Sequence, residues 1–202
     1  GRPYRIVRID TPPYNSNDVA AYTNSLILNR KVYVPTFGIE ADAVALETYR
    51  AAMPGYEVLG FAASGSPWYY YDALHCRTMG IADRHMLRIA HRPLDGEMPA
   101  LDELPVRALI DDRSEAGLVA SELRVRWRRQ GETPWQSVPL APLAAPDSFE
   151  ARIPGQAPGT WVEYYLEAAD SSGRHESRPP SAPGGFYRFT VVADPSAVDL
   201  EE

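Results

Sequence analysis

The feature that most constrains the fold of this chain is a change in the spacing of its hydrophobic residues near residue 105. Beyond that point apolar residues recur at every second position, as in "ELRVRWRRQG" (122–131) and "GTWVEYYLEAADSSG" (159–173). A period of two places successive side chains on opposite faces of a β-strand, so each segment predicts a strand with one buried and one solvated face. No segment of helical spacing interrupts these strands, which predicts an all-β region.

Residues 106–193 combine several such strands with turns rich in glycine, proline and serine, a pattern typical of an immunoglobulin-like or fibronectin-like β-sandwich of about 90 residues. The chain has a single cysteine, so the predicted core consists of Trp and Tyr side chains without a disulfide bridge. Arg124, Arg126, Arg128 and Arg129 are predicted to form a solvated strand face. The alternative is a docking patch for the acidic first domain.

Residues 1–92 mix helix and strand signals. Two β-rich runs, Tyr22–Leu28 and Lys31–Thr36, are separated by a short turn-like break. The segment "IEADAVALETYRAAMPG" (39–55) has favourable helix formers, acidic residues in its first turn and an apolar face, and Pro-Gly ends it. A further strand is predicted over Tyr56–Phe61. The order strand, strand, helix, strand is a ββαβ unit.

Residues 93–105 ("PLDGEMPALDELP") are acidic, contain proline and show no periodicity, and so predict a linker. The predicted fold class is α+β, with a first domain over 1–92, this linker, an all-β domain over 106–193 and a tail over 194–202. With 202 residues the chain is long enough for two domains that each bury a core.

The charge and hydropathy of the chain exclude some partners. Its 20 Lys+Arg against 27 Asp+Glu give a formal net charge of −7. This balance gives no electrostatic reason to expect nucleic acid or an anionic membrane surface as partner, and it suits a basic substrate better. No run approaches the roughly 18 apolar residues that cross a bilayer, so no membrane span is expected.

Cys76 is the only cysteine, and His75 and Arg77 flank it in "YYYDALHCRTMG" (69–80). A free cysteine usually behaves as a small buried hydrophobic residue. Positive charge nearby, from His75, Arg77 and His85, would instead stabilise a thiolate and favour a nucleophile. In an extended segment residues 75 and 76 point to opposite faces, so His75 is not expected to activate Cys76. The histidine spacing does not fit zinc, and no metal is expected.

Three motifs in this order, N-S-L-I-x-N (24–29), V-x-V-P-x-F-G (32–38) and L-H-C-R-T (74–78), resemble bacterial peptidyl-arginine deiminases. These enzymes belong to the guanidine-modifying (pentein) group, which also includes agmatine deiminases. The resemblance covers about residues 4–85, the C-terminal part of the catalytic domain. It implies a five-bladed α/β propeller of ββαβ units, of which residues 22–61 supply one, followed by an immunoglobulin-like domain.

The resemblance also implies a chemistry. Cys76 matches the nucleophile, whose thiolate attacks the guanidinium carbon of peptidyl arginine; ammonia leaves, and water releases citrulline from a covalent thiouronium. Asn24 matches the asparagine of the family's Y-x-N-S-L motif and is expected either to hold substrate or thiolate, or to satisfy a strand end or turn. His75 matches the family's H-C pair and is expected to be a supporting or structural residue. No cofactor is implied.

The residues before the cysteine favour peptidyl arginine as the substrate. Agmatine deiminases resemble this chain less here, since they have a glycine-rich run where this chain has "YYYDAL" (69–74). Trp68, Tyr69, Tyr70 and Tyr71 are expected either to line the mouth of a pocket or to pack in the core.

The family's acid–base histidine and guanidinium-binding aspartates match nothing in this chain, and Asp42, Asp72 and His85 lie outside its motifs. The chain is therefore expected to be a C-terminal piece, a cleaved subunit or a truncated form, inactive without the N-terminal part of the same domain. That part and an arginine-containing peptide or protein are the expected partners. An agmatine-type deiminase and a non-catalytic surface binding module are the alternatives. The resemblance implies a secreted or cell-envelope protein.

Overall fold

The computed structural model describes residues 5–66, 68 and 71–193 of the chain. The chain divides into two compact units between Ala82 and Asp83. The described residues are mostly in β-sheets, with a single α-helix, and none of their helices is long and apolar enough to cross a membrane. The predicted tail over 194–202 lies outside the described residues, as do Tyr69 and Tyr70.

The first unit has the predicted order of elements, with strands β1–β3 and helix α1: β1 Leu26–Leu28, β2 Lys31–Thr36, α1 Ala41–Ala52 and β3 Glu57–Ala62. Strands β1 and β2 form an antiparallel hairpin, and α1 returns the chain so that β3 runs parallel to β2. The helix buries Ala45 and Tyr49 in a cluster with Val32, Val34 and Val58 of the sheet. The predicted ββαβ order is confirmed.

The first predicted strand, Tyr22–Leu28, is shorter in the structure, because only residues 26–28 pair with β2. The residues before them form a turn, in which the Asn24 backbone N–H donates to the carbonyl of Ala21. Tyr22 is fully buried, and its hydroxyl donates to the Asp42 carboxylate at 2.7 Å. Three backbone amides of residues 37–39 also donate to that carboxylate. The β-favouring Tyr22 therefore serves the core rather than a strand.

The second unit contains strands β4–β13: β4 Leu87–His91, β5 Gly96–Pro99, β6 Glu103–Asp112, β7 Arg124–Arg129, β8 Gln136–Pro139, β9 Ala141–Pro142, β10 Ser148–Pro154, β11 Trp161–Ala169, β12 His175–Arg178 and β13 Tyr187–Val192. One sheet has the order β4-β6-β10-β9, and the other has the order β5-β13-β11-β7-β8, with β12 also paired to β11. Ile89 and Ile153 of the first sheet share one buried core with Val125 and Phe189 of the second. The unit is a β-sandwich.

The predicted linker over 93–105 differs from the structure. Strand β5 lies within it and pairs in parallel with β13, and Leu104 is buried in the sandwich core. Strand β4, placed by the sequence in the first domain, pairs with β6 of the sandwich. The sandwich therefore begins near residue 83 rather than 106. Strand β5 lies at a sheet edge, where proline and glycine are tolerated, so it carries little of the alternation that identifies a strand.

The outer face of β11 is covered, although the sequence predicts it to be solvated. Glu163 and Tyr165 are both buried. The Trp135 ring packs edge-on against Tyr165 with the ring centroids 4.9 Å apart, and Arg128 Nε lies 2.7 Å from the Glu163 carboxylate. Arg126 is also ion-paired on this face and is only 28% exposed. These arginines therefore complete the sandwich surface and are not freely solvated.

Candidate active site

Cys76 lies in a single 3-10 turn, His75–Arg77. The segment before this turn packs against the sheet formed by β1–β3. Three buried residues hold this segment by packing against side chains of β1 and β2: Trp68, Ala73 and Leu74. The turn itself is not in the core, and Cys76 is exposed. Its environment is therefore unlike that of the usual buried free cysteine.

Asn24 contacts this turn through its side chain and its backbone. Its Nδ2 donates to the Tyr71 carbonyl at 2.8 Å and to Cys76 Sγ at 2.9 Å, while its Oδ1 accepts the Cys76 backbone N–H at 3.2 Å. The Asn24 carbonyl accepts the His75 N–H at 3.2 Å. These partners define the amide orientation, because the reverse would place Oδ1 against the Tyr71 carbonyl oxygen. The sulfur therefore faces a side-chain donor, which is held in place by its contacts with the Tyr71 carbonyl and the turn.

Tyr49 of α1 forms hydrogen bonds with residues on either side of Asn24. The Tyr49 hydroxyl donates to the carbonyl of Tyr22 at 3.0 Å and lies 2.9 Å from Ser25 Oγ. Burial raises the pKa of Tyr49 above its ordinary value, while the hydrogen bond with Ser25 acts in the opposite direction. The phenol is therefore neutral at physiological pH and has a structural rather than an acid–base role.

A cavity of about 350 Å³ adjoins this arrangement. Its walls are formed by seven residues: Thr11, Val19, Ala21, Thr23, Asn24, Tyr71 and His75. No carboxylate is among these described lining residues. The cavity therefore offers polar neutral groups and one imidazole beside the cysteine turn, but no counter-charge for a cation.

The structure brings Asn24, His75 and Cys76 together, and their chemical roles stay predictions. The segment is not extended, so the expectation that His75 and Cys76 point to opposite faces does not apply. His85 belongs to the second unit. Asp72 pairs with Arg77 at 2.9 Å. Within the described part of the chain, no group of three His, Cys, Asp or Glu side chains lies close enough to hold a metal ion.

The two described aromatic residues before the cysteine have different places. Trp68 is buried and belongs to the core, whereas Tyr71 is 70% exposed and lines the cavity. Thr11 and Thr23 also line it and were not predicted as site residues. No local pattern distinguishes such threonines from other surface residues, because only the packing of the turn places them at the cavity.

An exposed cysteine that an asparagine amide contacts beside a cavity defines a candidate cysteine-dependent active site. Residues 1–81 match the family model of the Porphyromonas-type peptidyl-arginine deiminases. The matched region includes Asn24, His75 and Cys76. It ends one residue before the boundary between the two units, so the match does not extend into the sandwich.

Solved structures give weaker similarities. Murine CRIg is 5% identical over 52% of this chain and 98% of that chain, with a TM-score of 0.32. PcoC, a methionine-rich copper resistance protein from Escherichia coli, is 18% identical over 48% of this chain and 87% of that chain, with a TM-score of 0.30. The twitchin kinase region from C. elegans is 16% identical over 55% of this chain and 17% of that chain, with a TM-score of 0.31. Scores this low do not define a fold.

Proposed function

We propose that this chain is part of a cysteine-dependent deiminase that converts peptidyl arginine to citrulline and ammonia, with Cys76 as the nucleophile. One observation carries the proposal: the exposed Cys76 sulfur lies 2.9 Å from the donating amide of Asn24, inside the region that matches the deiminase family. A buried thiol without a polar neighbour would not suit this role, since the thiolate is the reactive form.

In the proposed reaction the Cys76 thiolate adds to the guanidinium carbon. The bond from that carbon to one terminal nitrogen then breaks, and the nitrogen leaves as ammonia after a general acid protonates it. Water attacks the resulting thiouronium, its oxygen becomes the ureido oxygen of citrulline, and the carbon–sulfur bond breaks to return the thiolate. Each turnover consumes one water and releases one ammonium ion.

Asn24 is proposed to hold the sulfur and the turn, and His75 to support the site from the cavity wall. A planar guanidinium requires carboxylates to orient it, and the described lining residues include none. We therefore propose that the acidic groups and the general acid come from the N-terminal part of the same catalytic domain. The chain by itself is expected to show no deimination.

We also infer the wider architecture from the motif resemblance and the family match. The first unit is proposed to be one ββαβ blade of a five-bladed α/β propeller, which the parallel pairing of β2 with β3 supports. The sandwich is proposed to be immunoglobulin-like, with two facing sheets around one core. A secreted or cell-envelope location is proposed, because family members with this arrangement are typically found there.

The test is the Cys76→Ala substitution in the complete protein. Citrulline formation from a peptidyl-arginine substrate is expected to fall by about 10³-fold or more, while the free energy of unfolding changes by less than about 0.5 kcal/mol, because the side chain is at the surface. Glu47→Gln is the control, since Glu47 is 75% exposed on α1, away from the cysteine turn. Normal turnover by Cys76→Ala would overturn the proposal.

The same assay separates the alternatives. Peptidyl arginine, free arginine and agmatine are compared side by side, and a preference for agmatine would indicate a small-guanidine deiminase. If Cys76 of the chain reacts with iodoacetamide no faster than a model thiol, and the complete protein deiminates none of the three substrates, the site is a non-catalytic binding module.

A further inference from the structure

Arg77, on the other side of Cys76 from His75, folds back over the turn. Its Nε donates to Asp72 Oδ2 at 2.9 Å. Its guanidinium carbon lies 5.2 Å from the centroid of the Trp68 ring, within the range of a cation–π contact. Because Asp72 and Arg77 enclose residues 73–76, their ion pair closes the loop that carries the cysteine.

Trp68 connects this loop to the sheet. Its side chain is 6% exposed, and its indole N–H donates to the carbonyl of Thr36, the last residue of β2, at 3.0 Å. Its own carbonyl accepts the Tyr14 hydroxyl at 2.7 Å. The ring on which Arg77 rests is therefore held by the core and by its indole hydrogen bond, while a second hydrogen bond holds the Trp68 backbone, so the ring is a fixed support for the guanidinium.

The Asp72 carboxylate relies on Arg77 for charge compensation. Its Oδ1 is inaccessible to solvent and has no hydrogen-bond partner within the described part of the chain. An exposed ion pair contributes little to stability by itself, and the side chains of Arg77 and Asp72 are 39% and 43% exposed, respectively. A carboxylate with one oxygen already unsatisfied is more sensitive to the loss of its remaining partner, because the loss leaves a partly buried charge uncompensated.

We propose that Arg77 is a positioning residue for the cysteine. Asn24 holds the turn from one side, and Arg77, braced by Asp72 and Trp68, closes it from the other, so that the sulfur stays at the Asn24 amide. Without Arg77 the Asp72 carboxylate turns towards water, the loop opens and the sulfur leaves Asn24. The inference rests on the proposed role of Cys76 as nucleophile.

The first test is kinetic and uses the complete protein. In Arg77→Gln, kcat for peptidyl arginine is expected to fall by about 10-fold or more, because small displacements of a reacting group are costly, while KM changes by less than about 2-fold. Adding Asp72→Asn to this variant is expected to restore most of the loss, since it removes the uncompensated carboxylate. Arg50→Gln, which breaks an exposed ion pair with Glu47 on α1, is the control and is expected to leave kcat unchanged.

Two outcomes would overturn the proposal. An altered KM with normal kcat would show that Arg77 contacts substrate instead of positioning the cysteine. A double variant no better than Arg77→Gln would show that the uncompensated Asp72 carboxylate is not what opens the loop and moves the sulfur away from Asn24.

The second test is independent of turnover and uses the 202-residue chain, whose single thiol makes alkylation unambiguous. The rate constant for Cys76 with iodoacetamide is expected to fall about 3-fold or more in Arg77→Gln, because the sulfur loses the hydrogen bond that the Asn24 amide donates to it. Arg50→Gln is expected to react like the parent chain. An unchanged rate in Arg77→Gln would overturn the positioning role, whereas turnover by Cys76→Ala would overturn only the proposed function.

Discussion

The two compact units bury their apolar side chains to different extents. The sandwich closes one core between its sheets, where Tyr164 and Phe189 are fully buried. The first unit has smaller buried clusters and leaves Phe61, Met79 and Ile81 47%, 88% and 92% exposed. Exposed apolar groups of this kind often mark a surface that another polypeptide covers. The difference supports the proposed packing of the first unit against the rest of a catalytic domain.

The units also differ in how they use polar side chains. In the sandwich, Arg128 forms an ion pair with the buried Glu163 and stacks over the Trp135 ring, so both charged groups serve the structure. In the first unit, the amide of Asn24 and the thiol of Cys76 meet at an exposed surface. The covered pair in the second unit contributes to stability, whereas the groups around Cys76 lie at the surface, as the proposed chemistry requires.

The largest expected effect comes from a core truncation in the sandwich. Leu166 is fully buried in β11, so Leu166→Ala is expected to lower the free energy of unfolding by about 2–5 kcal/mol. Ile27→Ala in the first unit is the matched control, because Ile27 is 54% exposed, and it is expected to cost less than about 0.5 kcal/mol. Urea denaturation followed by tryptophan fluorescence measures both. Equal losses would contradict the comparison.

A smaller loss in the free energy of unfolding is expected when the Arg128–Glu163 ion pair loses its carboxylate. Glu163→Gln leaves the Arg128 guanidinium, 18% exposed and 4.0 Å above the Trp135 ring, without its counter-ion. The expected loss is about 1–3 kcal/mol in the free energy of unfolding. Glu132→Gln removes the acid of a half-exposed pair with Arg129 and is expected to have almost no effect. Indistinguishable urea midpoints for the two variants would refute the structural role of Glu163.

The smallest expected effect is a dependence of the sandwich's stability on pH, which arises from the protonation of His91. Its Nδ1 donates to the carbonyl of Arg107 at 2.7 Å, which leaves Nε2 to accept the Tyr164 hydroxyl at 2.9 Å. The Tyr164 oxygen also accepts the Leu94 N–H. Protonation of His91 would place two donors and a hydroxyl hydrogen at one oxygen. Burial, against the backbone hydrogen bond to Arg107, lowers the pKa of His91 below its ordinary value of 6.5.

Proton linkage gives the direction in which the stability of the sandwich changes with pH. Above about pH 6.5, His91 is neutral in both the folded and the unfolded state. As the pH falls below this value, the unfolded chain binds a proton at His91 before the folded chain does, so the free energy of unfolding decreases. In His91→Gln this contribution is absent. The difference in free energy of unfolding between the parent and this variant is therefore expected to shrink between pH 7.5 and pH 5. A difference that does not change with pH would contradict the arrangement around His91.

The alternation of apolar and polar residues predicts the main sandwich strands well, because the period is a property of each strand by itself. The strand Arg124–Arg129 and the buried face of Trp161–Ala169 follow directly from it. The prediction is wrong at 93–105, where β5 pairs at an edge and packs few side chains. It is also wrong at Glu163, which is buried beside Arg128, the residue directly opposite it on β7.

The amino-acid sequence by itself determined the ββαβ order, the change to an all-β region and the choice of Cys76 as the candidate nucleophile. Only the tertiary structure decided that the Asn24 amide, 52 residues earlier in the chain, meets that sulfur. It also decided that Arg77 rests on Trp68. The reason is physical: periodicity and helix propensity act over a few neighbouring residues, whereas these contacts depend on how strand pairing and core packing bring distant segments together.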